Sequence, residues 1–176
     1  QSDASLNASG VKAGGLVETS GDVLNVSSKA KIDASSANGE AGQWLLDPLN
    51  VVIGTQDGAA LADADGSNTS SNTYTQEDTT GNCVSQPTAA NTNKTSYVSA
   101  QQVVDMLNKG TNVSIEAQDV NKVSSIIVDS AIDKTSGTDA ALTLKAQRDV
   151  IVNKDITSSA GKLDVNLYAE KKKNKR

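Results

Sequence analysis

Apolar residues in this chain come in short bursts. GLVET (15–19), VLNV (23–26), LNVVI (49–53), NVSIEA (112–117), SSIIVDS (124–130), ALTLKA (141–146), DVIVN (149–153) and KLDVNLYA (162–169) each combine β-branched residues with an apolar–polar alternation. A period of two over four to eight residues predicts short strands, one face in a core and the other in water. Turn-forming clusters follow them: SGD (20–22), SANGEAG (36–42), TSGTD (135–139) and SSAGK (158–162). Gly, Asn, Asp and Ser close such strands because they tolerate left-handed backbone or bond their own main chain.

The last third repeats itself. Val113-Ser-Ile115-Glu-Ala117 recurs as Leu142-Thr-Leu144-Lys-Ala146 and again as Val165-Asn-Leu167-Tyr-Ala169. A second burst follows the first two copies, at 126–128 and 150–152, and a third, shorter beat falls at Ile132 and Ile156. Several strands per unit of 20–30 residues mark a repeat architecture. With every unit all-β, the pattern predicts a parallel β-helix, its turns stacked about 4.8 Å apart. The expected core is Val17, Val26, Trp44, Leu45, Leu46, Val113, Ile115, Leu142, Leu144, Val165 and Leu167.

Two stretches break the rhythm. Residues 55–98 are rich in Thr, Ser, Asn, Asp and Gly and read as a flexible polar insertion. Residues 99–110, SAQQVVDMLNKG, then carry a helical signature. Ser99 stands where a helix N-cap belongs, Val103, Val104 and Leu107 share a face, and Gly110 can end the helix. The predicted organisation is β-helix turns over 1–54, the insertion over 55–98, a short amphipathic helix within 99–110, further turns over 111–170, and a basic tail, 171–176.

Composition agrees with a thin aliphatic core: Phe and His are absent and aromatics are 2% of the 176 residues. Net charge is −5, and the tail KKKNKR carries five positive charges, leaving −10 on residues 1–170. An acidic body argues against nucleic acid as a partner, since phosphate binding needs a basic face. No run of 18 apolar residues is present, so no membrane-spanning helix is expected, and the first ten residues lack the pattern of a signal peptide. The switch from VNLYAE to KKKNKR falls where another turn should start, and a truncated or frame-shifted gene end is the expectation there. The end of such a stack is also expected to associate with itself through its open strand edge.

Candidate chemistry is sparse. Cys83 is the single cysteine, so neither an internal disulfide nor a zinc cluster can form. Carboxylates are plentiful in the later turns, at Asp119, Asp129, Asp133, Asp149 and Asp155, but each reads as a turn residue rather than half of a hydrolytic pair. There is no imidazole base, and Arg148, the one Arg before the tail, falls between turns. DADGSN (63–68) lacks the Gly and Glu that a calcium loop needs at its sixth and twelfth positions. The sequence therefore predicts no enzyme, no cofactor and no metal. Trp44 could offer a ligand platform, but a buried plug is the expectation. Asn-X-Ser/Thr sequons occur at Asn7, Asn25, Asn68, Asn93 and Asn112. Asn68 and Asn93, inside the insertion, are the accessible candidates for glycosylation.

GGLVETSGDVLNV (14–26) followed by GQWLLDPLNVVI (42–53) resembles the exoproteins of two-partner secretion, the filamentous-haemagglutinin and high-molecular-weight adhesin family. Lys109-Gly-Thr-Asn-Val-Ser-Ile115 and the turns over 142–169 also look like that family, and the likeness runs over roughly residues 11–170. Leu16 departs from it, standing where the family has an aromatic. The resemblance implies a right-handed parallel β-helix, an interior piece of a longer exoprotein, and export through an outer-membrane pore. It also implies secretion or surface display, a host-cell glycan or protein receptor, and sequons able to carry sugars. Two alternatives stay open: the stalk of a contact-dependent toxin, and a polysaccharide-active enzyme.

Overall fold

The computed structural model describes residues 4–21, 24–26, 28–55, 76–77, 83–84, 95–118 and 124–170. The predicted insertion sites, the 63–68 loop, Asp119 and the basic tail lie outside them, as does the side chain of Cys83. The chain is mostly β-strand, with parallel sheets and, among the described residues, one short helix.

Strands β2 (Leu16–Ser20), β5 (Gln43–Asp47), β10 (Asn112–Ala117), β13 (Ala140–Ala146) and β16 (Leu163–Ala169) stand side by side in the order β16-β13-β10-β5-β2. Every pairing in this sheet is parallel. A second parallel sheet has the order β14-β11-β6-β9-β3, built from β3 (Asn25–Val26), β6 (Asn50–Gly54), β9 (Thr95–Ser99), β11 (Ser125–Val128) and β14 (Asp149–Val152). Two parallel pairs form a third side: β1 (Ser5–Asn7) with β4 (Lys31–Asp33), and β12 (Ile132–Lys134) with β15 (Ile156–Ser158). Strands β7 (Gln76–Glu77) and β8 (Cys83–Val84) pair antiparallel and stand apart from these stacks. The chain thus visits the first sheet, the second and the third side, then returns to the first one strand further along.

The rows that run across the first sheet explain why these residues became strands. One inward row is Val17–Trp44–Val113–Leu142–Val165, and the next is Thr19–Leu46–Ile115–Leu144–Leu167. Side chains of similar shape stack on one another, and alternate residues point outward into water. Trp44 is 0% exposed, and its indole N–H donates to the Thr19 hydroxyl at 3.2 Å. Each buried Val, Leu or Ile of these rows contributes about 1.5–3 kcal/mol relative to exposure. Strand β5 ends at Asp47, next to Pro48, which has no N–H to extend the ladder.

Three core expectations need correction. Val165 and Leu167 face inward in register with Leu142 and Leu144, yet are 41% and 47% exposed. Among the described residues β16 has a partner on one edge only, so no further strand covers them. Leu45 is half-buried on the outward side, because Trp44 and Leu46 take the inward positions of the same strand. The insertion boundary also moves. Thr95–Ser99 is strand β9, with Ser96 and Val98 buried, and it lies between β3 and β6. A polar-looking TSYVS segment joins the sheet because Ser96 and Val98 face inward while the Ser96 hydroxyl accepts the Leu24 N–H at 2.7 Å.

Helix α1 (Ala100–Asn108) packs between β4 and β12 on the third side, where a strand would otherwise run. Ala100, Gln102, Val103, Met106 and Leu107 are buried, and Val104 is half-buried. Ser99 occupies the N-cap position, but its side chain makes no capping bond. Past Lys109, Gly110 takes a φ of +73°, the left-handed value that favours glycine at a helix end. Corners stack as tightly as strands. Gly137 has φ +79°, and a Cβ there would strike the Asn108 carbonyl of the preceding turn.

Candidate functional site

Side chains, rather than ladders, join the helix to its neighbours. Gln102 Nε2 donates to the Ser28 carbonyl at 2.8 Å, and Lys109 Nζ donates to the Ile32 carbonyl at 2.9 Å. On the far side, Asn108 Oδ1 accepts the N–H groups of Thr135 and Ser136 at 2.9 and 3.1 Å. Between α1 and β4 lies a groove of about 650 Å³ whose walls include Ile32, Asp33, Gln102, Asp105, Met106 and Lys109. Lys109 Nζ stands 3.7 Å from the Asp33 carboxylate. Burial would raise the Asp33 pKa, but the N–H and hydroxyl of Ser35 and the Lys109 ammonium outweigh it and hold the group below its ordinary value. Gln102 Oε1 is buried there and meets no donor. The groove offers an amide oxygen, carboxylates and an ammonium for hydrogen bonding, but no nucleophile joined to a base.

The broad outward face of the first sheet is the other candidate. Its rows are Glu18–Leu45–Ser114–Thr143–Asn166 and Glu116–Lys145–Tyr168, with Ser20 opposite Asp47. Glu18 accepts from the Ser20 hydroxyl at 2.8 Å, and Lys145 stands 3.9 Å from Glu116. Burial, then the charges of Glu116 and Glu18, push the Asp47 pKa up. This face is a flat field of hydroxyls, amides and charges, suited to many weak contacts with a polar surface.

The remaining candidates are dispersed. Arg148 pairs with its neighbour Asp149 at 2.9 Å, and Asp133 accepts the Thr157 hydroxyl at 2.8 Å. Asp155 precedes β15, where its carbonyl accepts the Ile132 N–H. Asp129 lies between β11 and β12. Among the described residues no group of three or more His, Cys, Asp or Glu could hold a metal ion. No helix among them is long and apolar enough to cross a membrane. Of the sequons, Asn7 is exposed, and its Oδ1 accepts the Ser9 N–H and hydroxyl at 2.9 and 2.8 Å. Asn112 Oδ1 accepts the Ala141 N–H at 2.8 Å, which ties that amide to the next strand. Asn25 lies in β3, opposite Tyr97.

Sequence reasoning missed the Gln102–Lys109–Asp33 groove and the Glu18, Asp47, Glu116 group. The first had a signal. Gln102 falls on the same helical arc as Val103, Met106 and Leu107, so a polar residue on a buried face was there to be noticed. The second had none, since it depends on which strands become neighbours. Compared with known proteins, the chain matches no protein-family model and no curated protein.

Proposed function

We propose that this chain is a right-handed parallel β-helix. In this reading it is a structural and adhesive rod segment of a secreted or surface-displayed bacterial exoprotein, attaching to host cells or surfaces. The observation that carries the reading is the unbroken parallel ladder from β2 to β16. A ladder of that kind makes a stiff body whose inner rows are aliphatic and whose outer rows carry Ser, Thr, Asn, Lys and Glu. The dispersed carboxylates support a binding role over catalysis, because hydrolysis of a sugar bond needs two of them converging. The receptor in this reading is a host-cell glycan or protein, contacted over the outward face of the first sheet. Export uses an outer-membrane pore of the two-partner type. The VETSG and WLLDP stretches support that route, with Val17 and Trp44 in one core row and the Asp47–Pro48 strand end beside them.

The test is retention. Beads coated with the purified chain are passed over host-cell layers and over immobilised glycans. Saturable retention that falls when Thr143 and Lys145 are both changed to Glu supports the reading. Retention no greater than that of bare beads removes it. A crystal structure decides the winding, and left-handed turns would overturn that part alone.

A further inference from the structure

Each end of the stacks presents three strand edges at once. At one end β1, β2 and β3 have a partner on one side only among the described residues; at the other end the same holds for β14, β15 and β16. All six strands run in the direction of the ladders they belong to. The inward rows are aliphatic at the far end and unfinished there. Val152, Val165 and Leu167 are 43%, 41% and 47% exposed, whereas Val128, Leu142 and Leu144, one strand earlier in the same rows, are fully buried. At the near end Leu6, inward in the row of Ile32, is 42% exposed.

We propose that these two ends fit each other, and that one copy of the chain stacks head to tail on a second copy. Continuing the existing registers across the junction places β16 on the second copy's β2, β14 on its β3 and β15 on its β1, all parallel. Val165 then meets Val17, Val152 meets Val26 and Ile156 meets Leu6, so the aliphatic rows run on. Val17 and Val26 are already nearly buried, and the surface removed from water comes mainly from Val152, Val165, Leu167 and Leu6. On the outward side Asp164 faces Leu16 and Asn166 faces Glu18, so no like charges stand directly opposite. A two-fold junction between two far ends fits less well, because it reverses every strand and brings β14 over β15, which differ in length. Open edges of parallel sheet are templates for pairing with another chain. A heterologous contact of this sort does not close on itself, so the product is a linear series rather than a dimer.

The experiment is sedimentation velocity of the purified 176-residue chain over a range of concentrations. The wild-type chain is expected to give a weight-average mass that rises with concentration past that of a dimer. Lys162 and Glu170 bond β13, so the N–H groups of odd-numbered residues in β16 face the open edge. Leu167→Pro therefore removes an edge donor, and Val165→Asp puts a charge into the exposed row; either should block the far end. Leu6→Asp blocks the near end. Each variant, checked for folding by circular dichroism, should be monomeric by itself, and a far-end variant mixed with Leu6→Asp should stop at a one-to-one dimer. A monomeric wild type overturns the proposal. So does a Leu6→Asp chain that still dimerises alone, which identifies the two-fold junction, and so does association unchanged in every variant.

Discussion

Residues 112–169 and residues 5–110 build the same three sides by different means. In the later region the turns superpose strand on strand, at offsets of 29 and 23 residues in the first sheet and 24 in the other two sides. Backbone bonds join the turns, and corner side chains only assist, as where Asp139 Oδ1 accepts the Lys162 N–H at 2.8 Å. In the earlier region β9 intrudes between β3 and β6, and α1 replaces a third-side strand. A helix spends its own N–H and C=O groups internally. Its neighbours must therefore be satisfied by side chains, which is what Gln102, Lys109 and Asn108 do. Regular turns let the backbone hold the stack; an irregular one shifts the task to particular side chains.

The largest expected effect compares two members of one row. Trp44→Ala empties the middle of the earlier region and should cost about 3–5 kcal/mol in a denaturant titration. Val165→Ala, in the same row but at the exposed end, should cost less than about 1 kcal/mol. Equal losses would mean that the row does not act as one core.

Lysines give the next contrast. Lys134 is fully buried in the later region, and its ammonium donates to the carbonyls of Ser136, Gly137 and Ala160, tying one corner to the next. Lys134→Met leaves those acceptors without the charged donor and should cost about 2–3 kcal/mol. Lys109 is more open to water, and Lys109→Met should cost about 0.5–1.5 kcal/mol. The reverse order would show that the helix depends on its side-chain ties more than the corners depend on theirs.

Asparagines test the same division at single amides. Asn108→Ala releases the N–H groups of Thr135 and Ser136, whereas Asn112→Ala releases that of Ala141 alone. Each change should cost about 1 kcal/mol. Hydrogen exchange should quicken at 135 and 136 in the first variant and at 141 in the second. Exchange that quickens evenly along all strands would show global destabilisation instead.

The contrast also explains what was legible in the sequence. The later region repeats, so matching Val113, Leu142 and Val165 by eye reproduces the observed register. Trp44 and Leu46 were readable from alternation, but Leu45 was not, because three apolar residues in a row leave the phase of a strand open until its neighbours choose it. Strand β9 was lost among polar residues, since its pairing depends on β3 and β6, far from it in the chain. Exposure at Val165 and Leu167 escaped for a different reason: the pattern tells which way a side chain points, not whether another strand lies above it.

The smallest effect should appear as two opposite slopes against pH. Asp33 in the groove has a folded pKa below the ordinary aspartate value of 3.8, so it contributes stability above that value and loses it as pH falls through its folded pKa. Asp47 on the outward face has a folded pKa above the same value. Its native state favours the protonated form, so its contribution is present below 3.8 and is lost as pH rises through the folded pKa. Asp33→Asn should therefore lower the denaturation midpoint at neutral pH and flatten its fall in acid. Asp47→Asn should raise the neutral midpoint and leave the acid one nearly unchanged, because Glu18 and Glu116 no longer face a third charge. Both carboxylates are partly open to water, so both shifts will be small and will shrink further in salt. Midpoints measured every half unit across the acid range, at low and high ionic strength, separate the two. If both variants move in the same direction, the Ser35 and Lys109 partners do not outweigh burial at Asp33, and the groove and the open face are electrostatically alike.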